Sequence, residues 1–138
     1  MSQENVEVVR LAYEAFARGG LDRHMEHFSD DVDYRSLGGA LDEPGAAFGP
    51  VRGKDALRAL LQDWIHTFDG FGMELLELID AGGDTVVALE RFGGRAKRSG
   101  VDTDQVIGDV FTIRDGKIVR VREYPSLEAA LEAAGLRE

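Results

Sequence analysis

The chain has 138 residues, 43% of them hydrophobic and 30% charged, which is the length and make-up of one soluble globular domain spanning 1–138. Its net charge of −10 opposes binding to nucleic acid or an anionic membrane surface, because phosphate recognition needs an excess of Lys and Arg. With no cysteine, disulfides, thiolate zinc sites and cysteine nucleophiles are excluded, and no apolar run approaches the length of a bilayer span.

The stretch Met1-Ser2-Gln3-Glu4-Asn5 is polar and lacks the basic and apolar segments of a secretory signal, so a cytoplasmic protein is expected. Val6, Val9, Tyr13 and Phe16 recur at helical spacing, Ser2 is placed to cap, and Gly19-Gly20 supplies a stop; the spacing predicts a helix from Ser2 to Arg18. A shorter helix follows with Leu21, Met25 and Phe28 on one face. Ser29-Asp30-Asp31 then breaks it, and Val32 to Arg35 starts a strand. His24 and His27 lie three apart on this segment with no third ligand at a metal-binding spacing. They read as a solvated or half-buried pair, and neither a metal nor another cofactor is expected.

Leu37 to Gly49 reads as a loop with four glycines and Pro44, a length typical of functional or mobile segments in a small domain. From Gly53 to Phe68, Leu57, Leu60, Leu61, Trp64 and Phe68 form a helical stripe, with Asp55 in the first turn and His66 off the stripe. Gly53-Lys54 imitates the end of a phosphate loop, but Phe48 stands where its first glycine belongs and Asp55 where a magnesium-binding hydroxyl belongs. Strands are predicted over Met73 to Ile79 and Thr85 to Phe92, over the stretch holding Asp109, and over Ile118 to Tyr124. A last helix is capped by Ser126 and ended by Gly135. The basic run from Arg91 to Arg98 falls near a hairpin tip. Helices first and antiparallel strands afterwards give an α+β domain whose sheet curves over the helices.

Alternate residues of a strand share a face, so Ile107, Asp109, Phe111 and Ile113 project together. A carboxylate is costly among apolar neighbours unless paired or protonated. Two registers of the Asp115-Gly116 hairpin give it opposite meanings. A two-residue turn sets Asp109 opposite Arg122, as a cross-strand ion pair. A three-residue loop sets Asp109 opposite Val121, gathers Phe111, Val119 and Val121 on one face, and makes Glu123 a diagonal neighbour. Segregation of the apolar side chains favours the second, and two inward carboxylates tend to raise at least one pKa. On the preceding strand, Arg91 shares a face with Val87 and Leu89, while Val86, Ala88, Glu90 and Phe92 share the other; both faces are candidates for the interior.

The succession Ala17-Arg18-Gly19-Gly20-Leu21-Asp22, Phe28-Ser29-Asp30-Asp31-Val32-Asp33-Tyr34, Val51-Arg52-Gly53-Lys54-Asp55-Ala56-Leu57 and Val110-Phe111-Thr112-Ile113-Arg114-Asp115-Gly116-Lys117-Ile118-Val119-Arg120 resembles the SnoaL-like branch of the NTF2-like superfamily, over nearly the whole chain. The resemblance implies a conical α+β barrel with a cavity at its wide end, a small hydrophobic ligand, and homodimers formed through the sheet. The superfamily includes isomerases, polyketide cyclases, epoxide hydrolases and non-catalytic binding domains. It also implies that Asp109 occupies the place of the protonated oxyanion-hole aspartate of ketosteroid isomerases. The tyrosine of that site aligns with Ala12, one residue from Tyr13, and its general base with Ser36. A one-residue helical offset turns a side chain by about 100°, so ketosteroid isomerase activity itself is not expected.

Asp109 is the first candidate for acid/base work or for donation to a developing oxyanion, with Glu123 as its proton partner. Tyr13, Tyr34, Trp64, Arg91, Phe111 and Val121 are the candidate ligand contacts. Two functions follow: a cofactor-independent isomerase, cyclase or hydratase acting on a small carbonyl compound, or a non-catalytic binding or dimeric accessory domain using the same cavity.

Overall fold

A computed structural model describes residues 2–36 and 50–136. The predicted loop from Leu37 to Gly49 lies outside the described residues. The element order is α1 (Ser2–Met25), β1 (Phe28–Arg35), β2 (Val51–Arg52), α2 (Lys54–Thr67), β3 (Phe68–Asp80), β4 (Thr85–Ala96), β5 (Asp102–Arg114), β6 (Lys117–Tyr124) and α3 (Leu127–Ala133). The six strands form one curved open sheet in the order β2-β1-β6-β5-β4-β3, antiparallel except where β1 runs parallel to β6. No helix among the described residues is long and apolar enough to cross a membrane.

The first two predicted helices are both present and are numbered together as α1; Gly20, with φ 73° and ψ −159°, is not helical and separates them. The second segment is shorter than expected, because Phe28 to Asp31 belong to β1 instead of to a helix and a break. Phe28 is buried from the strand, as are Val32 and Tyr34. The α2 stripe packs as its spacing requires, with Leu57, Leu60, Leu61 and Trp64 all buried and His66 exposed.

Two apolar layers result. Val9, Tyr13, Met25, Leu57 and Trp64 pack from the helices against Val86, Phe92, Ile107 and Phe111 on the inner face of the sheet. Helix α3 covers the outer face, where Val87 meets Ala130 and Leu131. This second contact needs Gly108. A Cβ there would lie 2.6 Å from the Ser126 carbonyl oxygen and 2.7 Å from Ala130 Cβ, so only hydrogen leaves room for the helix directly behind Asp109.

The β5–β6 hairpin starts in the two-residue-turn register and beyond the turn follows neither expected register, so Asp109 faces neither Arg122 nor Val121. Arg114 pairs with Lys117 and Ile113 with Ile118, so Asp115-Gly116 is the two-residue turn, with φ of 52° and 76° as a type I′ turn demands. The pairing then shifts, and Thr112 faces Arg120. Val119 is the extra residue of a bulge, and from there Phe111 pairs with Val121 and Asp109 with Glu123. The bulge reconciles a tight turn with apolar segregation, since Ile118 and Val121 both point inward. The Asp109–Arg122 pair does not form. Arg122 lies on the outer face and donates to the Asp33 carboxylate at 3.1 Å.

Candidate active site

Three adjacent strands each contribute a carboxyl to the inner face. Asp109 of β5 stands opposite Glu123 of β6, not diagonal to it, and opposite Ala88 of β4, two residues from Glu90. Directly opposed side chains have Cβ atoms about 5 Å apart. Asp109 and Glu90 are buried, 2% and 6% exposed.

Two tyrosines reach these acids from elements distant in sequence. The Tyr13 hydroxyl, from α1, donates to Glu90 Oε1 at 2.6 Å and lies 3.2 Å from Asp109 Oδ2. The Tyr34 hydroxyl, from β1, donates to Glu123 Oε2. A phenol has a single proton, and the shorter contact with Glu90 takes it. The longer contact sets the same hydroxyl against Asp109 Oδ2, so the Tyr13 proton can turn from one acid to the other. Asp109 Oδ1 is buried with no hydrogen-bond partner.

Burial pushes the Asp109 carboxyl well above the usual carboxylate range, and the charge and hydrogen bonding of Glu90 and the charge of Glu123 add to this; the bond from Tyr13 opposes it. Burial and the neighbouring acids therefore favour the protonated form of this side chain. Burial and the adjacent carboxylates also hold the Tyr13 and Tyr34 hydroxyls well above the ordinary phenol range. His24 is buried, 6% exposed, instead of solvated, and burial lowers its pKa to about 4. As a neutral ring it donates from Nδ1 to the Ala12 carbonyl at 2.7 Å, tying the two segments of α1 across the kink.

These groups surround a narrow cavity of about 30 Å³, space for a small group and not for a flat polycycle at rest. Tyr13, Tyr34, Trp64, Phe111, Val121 and Glu123 all line it, together with Asp109. Phe71 and Met73 of β3 are half-buried members of the wall. Tyr13 reaches Asp109 despite the one-residue offset from the isomerase alignment, because Ala12 and Tyr13 both turn into the core from α1.

Arg91 is not at the cavity. It projects from the outer face of β4 and is paired with Asp104 at 3.2 Å and Glu74 at 3.5 Å. The opposite face, Val86, Ala88, Glu90 and Phe92, is the inner one. Glu90 and His24 were not among the expected site residues. Glu90 was legible as the charged member of the competing β4 face, and His24 from its place between Leu21 and Met25. Among the described residues, no group of three or more His, Asp or Glu side chains is arranged to hold a metal ion.

A family model described as a SnoaL-like domain matches residues 9–121. The uncharacterized protein Rv0034 of Mycobacterium tuberculosis is 32% identical over 130 residues, covering 94% of each chain. Among solved structures, TerC co-crystallized with polyporic acid superposes with a TM-score of 0.72 at 20% identity, over 96% of this chain and 98% of that one. A putative SnoaL-like polyketide cyclase from Mesorhizobium loti superposes with a TM-score of 0.62 at 23% identity, over 86% and 96%.

Proposed function

We propose that this chain, which belongs to the SnoaL-like family, binds a small, mainly hydrophobic carbonyl compound in the cavity and moves a proton on it without a cofactor. The observation that carries this reading is Asp109: a buried acid whose Oδ2 is engaged by Tyr13 while Oδ1 has no protein partner. A buried polar atom without a partner costs roughly 1–3 kcal/mol. A ligand group that meets Oδ1 recovers that cost.

The carboxyl proton can sit on either oxygen. On Oδ1 it donates to the ligand's carbonyl oxygen, while Tyr13 continues to hold Oδ2. Glu123, opposite across the strand pair, is the base: it takes a proton from the carbon beside the carbonyl as negative charge develops on the oxygen facing Asp109. Returning that proton to another carbon completes an isomerisation. Attack by the enol carbon on a second carbonyl gives a cyclisation. Tyr34 fixes Glu123 through its hydroxyl. Phe71 and Met73 form the half-buried part of the wall, the side from which a ligand would enter. Two copies are expected to associate, as the family resemblance implies, and sedimentation velocity checks this.

A naphthol whose emission reports its ionisation tests the site. Wild-type protein is expected to bind it and shift its ionisation, and Asp109→Leu to do neither. Equal behaviour of the two proteins would overturn the proton-donor role of Asp109.

A further inference from the structure

We infer that the ligands this cavity holds best carry an alkylated ammonium group, a protonated tertiary amine above all. The inference rests on the reading of the cavity as a ligand site, and it names the charge of the ligand.

The lining is one-sided in charge. Glu90, Asp109 and Glu123 all face the cavity, and no arginine or lysine lines it among the described residues. The one basic-type side chain in the wall, His24, is a neutral ring that gives its Nδ1 proton to Ala12. The nearest strand cation in sequence, Arg91, is turned outward and paired. An anionic ligand would meet three acids at the wall, with no Arg or Lys among the described lining residues. A cation would meet them in a setting screened from water, where attraction between charges is strongest.

The rest of the wall suits an alkylated cation and not a hydrated metal ion. Tyr13, Tyr34, Trp64, Phe92 and Phe111 present ring surface, and aromatic faces attract cations whose charge is spread over methyl groups. A tertiary ammonium has one N–H. That donor matches Asp109 Oδ1, the buried acceptor with no partner, when the carboxyl proton stays on Oδ2 against Tyr13. The alkyl groups then face the rings, and Glu123 and Glu90 balance the charge. Nothing in this arrangement demands the carbonyl chemistry above, so the two readings can fail separately.

The chain's single tryptophan, Trp64, lines the cavity and reports occupancy by its emission. Dimethylaminoethanol, protonated at neutral pH, is titrated against its neutral isostere isopentanol and the anion isovalerate. The amine is expected to bind at least about tenfold more tightly than isopentanol, and isovalerate not to bind. Glu123→Gln, which keeps the shape of the side chain, is expected to lower the ratio of amine to isopentanol affinity toward one. Glu90→Gln, expected to lower the same ratio, serves as a second variant if Glu123→Gln does not fold. Equal or tighter binding of isopentanol, or any preference for isovalerate, overturns the inference and leaves the cavity a ligand site. Silence of Trp64 with all three also overturns it, and the naphthol titration then decides separately whether the proton-donor reading stands.

Discussion

The outer face of strands β4 to β6 carries more charged residues than the inner, and the two faces use them in opposite ways. On the outer face, Arg91 is held between Glu74 and Asp104, and Arg122 against Asp33, each pair of opposite sign and reached by water. On the inner face, Glu90, Asp109 and Glu123 are gathered with like charge and two tyrosines, out of reach of any cation among the described residues. The outer arrangement holds Asp33 below its ordinary pKa, chiefly through its hydrogen bond from Arg122. The inner one drives Asp109 the other way. One face favours the charged form of its acid and the other the protonated form, and the proposed chemistry rests on the second.

That contrast can be broken most strongly by titrating the protein's stability. His24 has an ordinary pKa of 6.5 and a folded value of about 4, so the unfolded chain takes up a proton that the folded chain refuses. Its contribution is fully present above pH 6.5 and is lost as pH falls toward 4, by about 3 kcal/mol. Denaturant melts of wild type and His24→Gln across this window are expected to show the variant losing much less stability. Parallel curves would mean the ring is not buried as a neutral base.

Asp109 has the opposite sign. Its folded pKa is raised, so its contribution is present below the ordinary carboxylate range and is lost as pH rises from there through the raised value. Asp109→Asn removes this penalty along with the like charge beside Glu90. It is expected to raise stability at pH 7 by about 1–3 kcal/mol while abolishing any proton donation. Urea melts at pH 5 and pH 8 check this, with the larger gain at pH 8. A loss of stability at both values would mean that the acid serves the fold and not the cavity.

The smallest effect belongs to the outer face. Arg91 is 47% exposed in its side chain, so Arg91→Gln is expected to change stability by less than about 0.5 kcal/mol and to leave ligand affinity unchanged. A thermal melt with the naphthol titration suffices, and a weakened affinity would bring Arg91 back as a ligand contact.

Much of the fold was legible along the chain. The α2 stripe, the Ser126 cap, which accepts from the Ala129 amide at 3.0 Å, and the Asp115-Gly116 turn are local devices, set by residues within a few positions of one another. The inward aspartate was legible for the same reason, as a charge on an apolar alternation. The start of β1 was not. Ser29-Asp30-Asp31 has the composition of a turn, and pairing of Phe28 with Ile118 on β6 holds the segment extended.

The sequence by itself determined the class of the fold, the identity of the inner β5 face and the acid at its centre, because helical and strand periodicities are short-range and the chain states them directly. Tertiary structure decided the rest. Both faces of β4 are half apolar, so their alternation could not choose between Glu90 and Arg91; the register with β5 and the cover of α1 and α2 chose Glu90. The bulge at Val119 moved Glu123 from a diagonal position to one directly opposite Asp109. Tyr13 meets Glu90 across 77 residues of chain and Asp109 across 96, a convergence that periodicity along one segment cannot express. Site chemistry depends on which groups share a space, and that is settled only when distant elements pack.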